Sequence, residues 1–457
     1  MKNKQSLLAI TVFGLTFVTG NTVAKVTAEQ AMKLDQELTP VGAVRAGNHE
    51  GSIPEWTGGM PKPPADYKGE ATPRIDPFHE EKPQFVINVS NYKEYNDKLT
   101  QGQKALLERY PDTFNMPIYK THRTAAAPQW VYDNTRLNAT RTELTGGGDG
   151  VINAYGGYPF PIPEDGYQVI WNHILRWVGQ GALKKYNSLT VYENGKKTIG
   201  QGSLWETYPY FDKKGDLASS NGNFWNMLVQ YTLPVRRKGE VILLRDSVNA
   251  AISPRQAWQY IPGQRRVRRA PTVAFDTPSA QFAGQATYDD AFMFNGSPER
   301  YNWKLIGKQE KFISYNNNGL LIAAEKGEEA INDISTVHHI NPDYSRWELH
   351  RVWVVEASLK EGKRHVYAKR TFYIDEDSWA LVATDIYDGR GKLWRAGFAN
   401  LLNAYDVPVT TIRAYWHTDL QNGAYSLNEL DYEPTKFYKG EADKFYTPSQ
   451  VRKMSRR

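Results

Sequence analysis

Short runs of alternating apolar and polar residues, separated by turn residues, fill the chain after residue 150. Because successive side chains of a β-strand point to opposite faces of the sheet, this alternation predicts antiparallel strands. Two of the breaks, Asn194-Gly195 and Asp388-Gly389, are typical two-residue hairpin turns. The chain is therefore expected to form a large antiparallel sheet. The predicted strands include residues 188–192, 241–246, 351–357, 365–374, 380–387 and 393–401.

One helix is predicted within this strand-rich region, over residues 165–178. Ile170 and Trp177 lie on one of its faces, and Trp171 and Val178 lie on another. A helix that is apolar on two faces is buried on two sides. A curved sheet wrapped around such a helix would form an incomplete barrel, so the expected fold class is mainly β, in the α+β class.

Before residue 150 the sequence predicts helices and an extended arm. Residues 27–38 and 91–109 have helical periodicity, and Thr27 is placed to cap the first of them. Residues 54–83 are crowded with proline, glycine and charge, which disfavours regular structure. This segment is predicted to be an arm that lies on the surface or on a partner.

The first residues have the pattern of a secretory signal peptide. Lys2 and Lys4 precede an apolar run over residues 7–20, and small residues end the segment at Ala24. We expect cleavage after Ala24 and release of a soluble protein into the periplasm, with an uncleaved membrane anchor as the alternative. The chain has no cysteine, which excludes disulfides, thiolate metal sites and a cysteine-linked lipid.

Charge and composition limit the classes of partner that the protein is expected to bind. The formal net charge of +6 is mild and does not predict nucleic-acid binding in the periplasm. It fits a weak, transient attraction to anionic membrane surfaces or acidic ligands. The chain contains 13 Trp, 28 Tyr and 17 Phe, and such residues line apolar cavities or mark surfaces that contact lipids and sugars. Composition alone does not choose between these uses.

A basic hairpin is predicted around a Pro-Gly turn. Trp258 and Tyr260 lie in its first strand, and Arg265, Arg268 and Arg269 follow the turn. Two interpretations remain open. The arginines form a solvated basic surface, or they form a rim of guanidinium groups at the mouth of an apolar cavity that binds carboxylate or phosphate head groups.

The acidic pair Asp289-Asp290 follows about twenty residues after this hairpin. These carboxylates are expected to pair with the arginines of the hairpin, either as a structural salt-bridge network or beside a bound ligand. The candidate residues for lining an apolar cavity are the large aromatic side chains nearby and on the central helix: Trp171, Trp177, Trp225, Phe292 and Trp303.

Six segments carry a family resemblance: PFPIP at 159–163, IWNH at 170–173 with Arg176, PGQRRVRR at 262–269, RYNW at 300–303, RWELHR at 346–351 and YIDEDSW at 373–379. They resemble a family of secreted proteobacterial proteins, the domain-of-unknown-function family 1329. Its members are often described as outer-membrane lipoprotein-sorting proteins and are related to periplasmic carriers of the LolA/LolB type.

The resemblance implies a fold and a role. LolA/LolB-type carriers form an incomplete antiparallel barrel around a hydrophobic cavity, which we expect over residues 151–430. Residues 25–150 would be an added extension and residues 431–457 a tail, because the true carriers are less than half as long. Members of the family tend to be encoded near a transporter of the resistance-nodulation-division type. The implied role is transfer of a lipid-like molecule from such a transporter towards the outer membrane.

The enzyme alternatives have little support in the sequence. It lacks a Gly-x-Ser-x-Gly elbow and a His-Glu-x-x-His zinc motif. His338 and His339 would point to opposite faces of a strand and could not share a metal. No catalysis, cofactor or metal is predicted. A hydrolase or carbohydrate-binding protein with Asp375 and Asp377 as paired acids remains open, as does an adaptor that docks to a transporter through residues 54–83.

Overall fold

The computed structural model describes residues 26–69, 73–250, 252–270, 276–279 and 282–455. The predicted signal peptide and its cleavage site at Ala24 lie outside the described residues. No helix within these ranges is long and apolar enough to cross a membrane. The α-helices of the described part are α1 (Ala28–Ala31), α2 (Gln101–Arg109), α3 (Gln129–Arg141), α4 (Gly166–Ile174), α5 (Asn318–Ala324), α6 (Glu328–Ile334) and α7 (Pro448–Met454).

Strands dominate the remaining structure. They are β1 (Phe85–Ile87), β2 (Met116–Ile118), β3 (Glu143–Leu144), β4 (Val151–Ile152), β5 (Gly181–Val191), β6 (Lys197–Thr207), β7 (Asn223–Leu233), β8 (Val241–Ser247), β9 (Gln256–Ile261), β10 (Arg266–Arg269), β11 (Tyr301–Ser314), β12 (Trp347–Leu359), β13 (Lys369–Asp375), β14 (Leu381–Tyr387), β15 (Leu393–Ala404), β16 (Val409–Asp419) and β17 (Tyr425–Tyr438). Short 3₁₀ turns lie between them at Tyr92–Tyr95, Gly146–Gly148, Pro209–Phe211, Val235–Arg237, Pro262–Gln264, Tyr288–Met293, Pro298–Arg300, Pro342–Tyr344 and Asp443–Phe445.

Fifteen of the strands form one sheet. It runs from β11 through β12 to β17, then from β5 to β10, and these neighbours are all antiparallel. The C-terminal strand β17 pairs with β5, which joins the two blocks of the sheet. In the described structure the end strands β10 and β11 do not pair with each other, so the sheet is not closed. The predicted mainly β fold with an open antiparallel sheet is confirmed.

The predicted strands fall in observed strands, with shifted bounds. Residues 241–246 coincide with β8, and residues 351–357 lie inside β12, which begins earlier at Trp347. The predicted run over residues 365–374 begins too early, because β13 starts only at Lys369. Alternation identifies the regular part of a strand and does not mark where pairing begins.

Helix α4 is the buried helix that the sequence predicts, although it is shorter than expected. Asp165 caps it by accepting a 2.9 Å hydrogen bond from the Gln168 backbone N–H. Val169, Ile170 and Trp171 are all buried, and the helix packs against β11 and β12. It ends at Ile174, so residues 175–178 continue as irregular chain from the helix to β5.

Two predicted helices near the N-terminus are wrong in extent. The helix predicted over residues 27–38 is only α1, which ends at Ala31, and Asp35 within the predicted range has a left-handed backbone with φ of 66°. The helix predicted over residues 91–109 is divided, because Thr100 and Gln103 form a capping box that starts α2 at Gln101. Helix α3, which follows Pro128, was not predicted at all.

The proline-rich arm is packed on the sheet. Its described residues, 54–69 and 73–83, contain no helix or strand. The indole of Trp56 donates a 3.1 Å hydrogen bond to the Ala125 carbonyl, and Arg74 forms a 2.7 Å ion pair with Asp406. These segments are therefore packed against the rest of the protein, in contrast to the adaptor arm that would be unpacked in the free protein.

The N-terminal extension and the sheet share strands. β1 and β2 precede residue 150, and β2 meets β12 where Ile118 pairs with Trp347. At the other end, β17 runs across residue 430 and ends only at Tyr438. The large sheet therefore includes strands from both sides of residue 150 and of residue 430.

Each face of the sheet carries an apolar core. Successive residues of β7 alternate between them, with Met227 and Val229 in the main core around α4 and Leu228 in a second cluster. The second cluster contains Val241 and Leu243 of β8 and is covered by Val451 of helix α7.

Candidate functional site

A small aromatic cavity lies where the chain leaves helix α4. Its volume is about 40 Å³, and a water molecule occupies at least about 10–15 Å³ on such a scale. The cavity therefore has room for a few waters or one carboxylate group. The lining residues are Ile174, Arg176, Val178, Tyr208, Phe224, Trp225, Phe292, Phe294 and Asn295.

Arg176 is the charged residue of this lining. Its Nη1 donates a 2.7 Å hydrogen bond to the carbonyl oxygen of His173, at the C-terminal end of α4. Its Nε is buried and has no hydrogen-bond partner among the described residues. No described carboxylate lies within ion-pair distance of its guanidinium. Burial lowers the pKa of Arg176, yet a guanidinium remains charged at neutral pH. The cavity thus contains a positive charge without an ionic partner.

The carboxylate of Glu206 lies nearby and is engaged by other groups. It accepts hydrogen bonds from the Trp225 indole, at 3.1 Å, and from the Tyr208 hydroxyl, at 3.0 Å. Its other oxygen lies 2.6 Å from the Lys184 ammonium. Glu206 therefore orients two aromatic walls of the cavity and neutralises Lys184, and its attraction for Arg176 acts only at longer range.

A strained segment covers the cavity. Phe292 and Met293 both have positive φ angles, 53° and 74°, which are uncommon for residues with a side chain. The ring of Phe292 lies against Trp225, with 5.9 Å between the ring centroids, and against Tyr415 at 6.0 Å. Two consecutive residues in this backbone region store strain that the surrounding contacts must hold.

The acidic pair at the start of this segment holds it against the sheet. Arg370 donates to Asp289 at 2.9 Å, and His365 lies 3.1 Å from the same carboxylate. Asp290 accepts a 2.8 Å hydrogen bond from the Tyr367 hydroxyl. Burial alone would raise the pKa of Asp289, but Arg370 and His365 together hold it below its usual value.

The predicted pairing of these acids with the basic hairpin is wrong. Residues 288–293 contact β14, β15 and β16, so Asp289 and Asp290 reach Arg370 and Tyr367 instead. Arg265, Arg268 and Arg269 are exposed on the β9–β10 hairpin at the end of the sheet. In the described structure none of these three arginines forms an ion pair.

The aromatic candidates fall into three groups. Trp225 and Phe292 line the cavity. Trp258 and Tyr260 pack in the second cluster, beneath α7. The others lie in the main core, and each indole donates to a backbone carbonyl: Trp171 to Gly148 at 2.9 Å, Trp177 to Pro408 at 2.9 Å and Trp303 to Pro298 at 2.8 Å.

Sequence reasoning gave no role to Arg176, Tyr208, Phe224 or Phe294. Arg176 had one available signal, since it is a single cation between Leu175 and Trp177 at the end of an apolar helix. Whether such a cation has an ionic partner depends on residues far along the chain, which a local pattern does not contain.

A second polar cluster could hold a metal ion. His350, Asp375 and Asp377 are buried, and each offers one ligand atom within 4.8 Å of the other two. Burial, and then the neighbouring Asp377, raise the pKa of Asp375 to about 7. Asp375 and Asp377, which the sequence left open as paired acids, therefore lie together in a buried cluster.

These features define a class of protein: an open antiparallel sheet that packs around a buried helix and leaves a small aromatic cavity with an unpaired arginine. The chain belongs to the family described as protein of unknown function DUF1329, whose model matches residues 86–452. This confirms the resemblance found in the sequence. The chain is also 40% identical to the uncharacterized protein PA3922 of Pseudomonas aeruginosa, over 99% of both chains.

The solved structures that align with this chain share little sequence with it. A DUF1329 family protein from Desulfovibrio piger is 14% identical and aligns over 63% of this chain and 97% of its own, with a TM-score of 0.43. A putative outer membrane lipoprotein-sorting protein domain from Vibrio parahaemolyticus is 13% identical, with coverages of 62% and 97% and a TM-score of 0.42. The LolA superfamily protein NE2245 from Nitrosomonas europaea is 13% identical, with coverages of 62% and 98% and a TM-score of 0.36.

Proposed function

We propose that this protein binds and carries an anionic hydrophobic molecule, such as a fatty acid or another lipid-like acid. Its acid group would bind Arg176, and its apolar part would lie among the aromatic side chains of the cavity. The observation that supports this proposal is the unpaired guanidinium of Arg176 in an aromatic lining.

The energetics favour such a ligand. A buried charge without a partner is unfavourable, and a carboxylate would supply two charge-assisted hydrogen bonds to the guanidinium. Hydrogen bonds to charged groups each contribute about 1.5–3 kcal/mol. An acyl chain that buries about 300 Å² of apolar surface would gain about 7.5 kcal/mol before ordering costs. The head group gives the orientation, and the chain gives most of the affinity.

An acyl chain needs more room than about 40 Å³. The strained segment that covers the cavity would provide this room by moving, because Phe292 and Met293 are held in strained backbone conformations. Each such residue stores about 1–3 kcal/mol, which partly offsets the cost of moving the segment. In this proposal the Phe292 ring moves away from Trp225 when the chain of the ligand enters.

The proposed compartment is the periplasm, supported by the signal-peptide pattern before Ala24. The family resemblance supports transfer from a resistance-nodulation-division transporter towards the outer membrane. The exposed arginines Arg265, Arg268 and Arg269 are proposed to give transient contact with an anionic membrane surface rather than with the cargo.

Calorimetric titration of the purified protein with palmitate tests the proposal. Arg176→Met is expected to weaken palmitate binding at least tenfold, because it removes the charge and keeps most of the side-chain volume. Arg269→Met, an exposed arginine, is the matched control and should bind like the wild type. Equal palmitate affinity for Arg176→Met and wild type would contradict the proposed site, and no binding by the wild type would contradict the function.

A further inference from the structure

A buried acid at the end of strand β13 lacks a cationic partner. Asp375 is fully buried, and its Oδ2 accepts hydrogen bonds from the backbone N–H and the hydroxyl of Ser378, at 2.9 and 2.5 Å. Its Oδ1 has no hydrogen-bond partner within the part of the chain that the structure describes. A buried carboxylate oxygen in this state is unfavourable unless it binds a proton or a cation.

The acids around Asp375 differ from it, because each has a cation of its own. The pairs are Glu348 with Arg346 at 2.6 Å, Glu376 with Lys308 at 2.8 Å and Asp377 with Arg123 at 2.7 Å. In the described ranges Asp375 has no Lys or Arg within ion-pair distance. Each of these three acids therefore has a Lys or Arg within ion-pair distance, whereas Asp375 has none among the described residues.

A second unpaired group lies at the same place. The hydroxyl of Tyr315 is fully buried and has no hydrogen-bond partner among the described residues. Its ring stacks on His350, with 4.0 Å between the ring centroids. Two buried oxygens, the Oδ1 of Asp375 and the hydroxyl oxygen of Tyr315, therefore lack partners among the described residues.

We propose that His350, Asp375 and Asp377 bind a divalent transition-metal cation, with Zn²⁺ as the best fit. One imidazole with two carboxylates is a donor set that suits Zn²⁺ or Mn²⁺ better than Mg²⁺ or Ca²⁺. The ligand atoms lie within 4.8 Å of one another, slightly more than twice a metal–ligand distance of about 2.0–2.2 Å. Small side-chain adjustments would close the site around an ion.

The contact between Asp377 and Arg123 is compatible with this site. Arg123 donates to the two oxygens of Asp377, at 2.8 and 2.7 Å. A carboxylate has about four acceptor positions, so it can bind a guanidinium and a metal together. Arg123 also donates to the Val44 carbonyl at 2.8 Å. The metal would thus link β12 and β13 to the N-terminal extension, in a chain that has no cysteine for a disulfide.

The test is metal loading of the full-length purified protein. The protein is stripped with EDTA, incubated with ZnCl₂ or MgCl₂ and desalted, and its metal content and melting temperature are measured. We expect about one equivalent of zinc, no retained magnesium and a melting temperature several degrees higher with zinc. Wild-type protein that retains no zinc and shows no shift in melting temperature would overturn the proposal.

Variants locate the site. Asp375→Asn keeps the shape and removes the charge, and it should lose zinc binding and the thermal shift. Asp385→Asn is the matched control, because Asp385 is also fully buried and accepts hydrogen bonds from Gly102 and Tyr373. If Asp375→Asn does not fold, His350→Gln is measured instead. Zinc retained at the wild-type level in the folded variant would overturn the assignment.

Discussion

Arg176 donates a 2.7 Å hydrogen bond to the carbonyl oxygen of His173, the residue before the last residue of helix α4. The C-terminal end of a helix carries a partial negative charge, which favours a cation there. This contact fixes the guanidinium at the wall of the cavity without neutralising it. An arginine that is held in place and still lacks a carboxylate is suited to bind an acid from outside the protein.

The first prediction concerns the stability of the ligand-free protein. Arg176→Met removes an unpaired, largely buried charge, so the free energy of unfolding should stay the same or rise by about 1 kcal/mol. Urea unfolding at neutral pH, monitored by tryptophan fluorescence, measures this. A loss of more than about 2 kcal/mol would show that the hydrogen bond from Arg176 to the His173 carbonyl stabilises the fold, and that Arg176 has a structural role instead of a ligand-binding one.

The second prediction concerns the segment that covers the cavity. Phe292→Ala removes the ring that lies against Trp225 and opens the space beside Arg176. Palmitate should therefore bind several-fold more tightly, because less of its binding energy is used to move the segment. Phe445→Ala, in the second cluster, is the control and should not change the affinity. Weaker palmitate binding by Phe292→Ala would mean that the Phe292 ring contacts the bound ligand and does not block the cavity.

The third prediction concerns acid sensitivity. His417 is fully buried, and neither ring nitrogen has a partner among the described residues. Burial lowers its pKa to about 4, with Arg395 and Arg370 adding to this and Asp290 opposing it. An unfolded histidine has a pKa of about 6.5, so protonation favours the unfolded chain. This contribution to stability is full above about pH 6.5 and is lost as the pH falls towards 4.

His417→Leu should remove that part of the pH dependence. Between pH 7 and pH 4, the wild type should lose about 3 kcal/mol more unfolding free energy than the variant does. Urea unfolding of both proteins at these two pH values measures the difference. Identical pH dependence for the two proteins would contradict a buried, neutral His417.

The fourth prediction concerns the basic hairpin. Arg268 is exposed and has no ion pair with a described carboxylate, so Arg268→Glu should change the melting temperature by less than about 2 °C. Palmitate affinity should not change, whereas sedimentation with anionic phosphatidylglycerol vesicles should decrease. A loss of palmitate affinity in Arg268→Glu would instead indicate that the hairpin arginines form the rim of the ligand site.

Local sequence pattern predicted the sheet well because alternation is a property of neighbouring residues. It predicted the burial of α4 for the same reason, from the two apolar faces that include Ile170 and Trp171. It overextended the helix at residues 27–38, which ends at Ala31 and is followed by Asp35 with a left-handed backbone.

The site was harder to predict because its contacts join distant parts of the chain. Asp289 pairs with Arg370, 81 positions away, whereas the sequence suggested the arginines about twenty residues before it. Trp225 and Phe292 were both candidates for lining a cavity, and in the structure their rings lie against each other, but the cavity also contains Arg176, whose lack of an ionic partner is visible only in the folded structure.

A crystal structure of the protein with bound palmitate would show whether Arg176 binds the acid group. We expect the palmitate carboxylate within about 3 Å of the Arg176 guanidinium, with the acyl chain between Trp225 and a displaced Phe292. Palmitate bound elsewhere, with the cavity closed and Arg176 still unpaired, would contradict it.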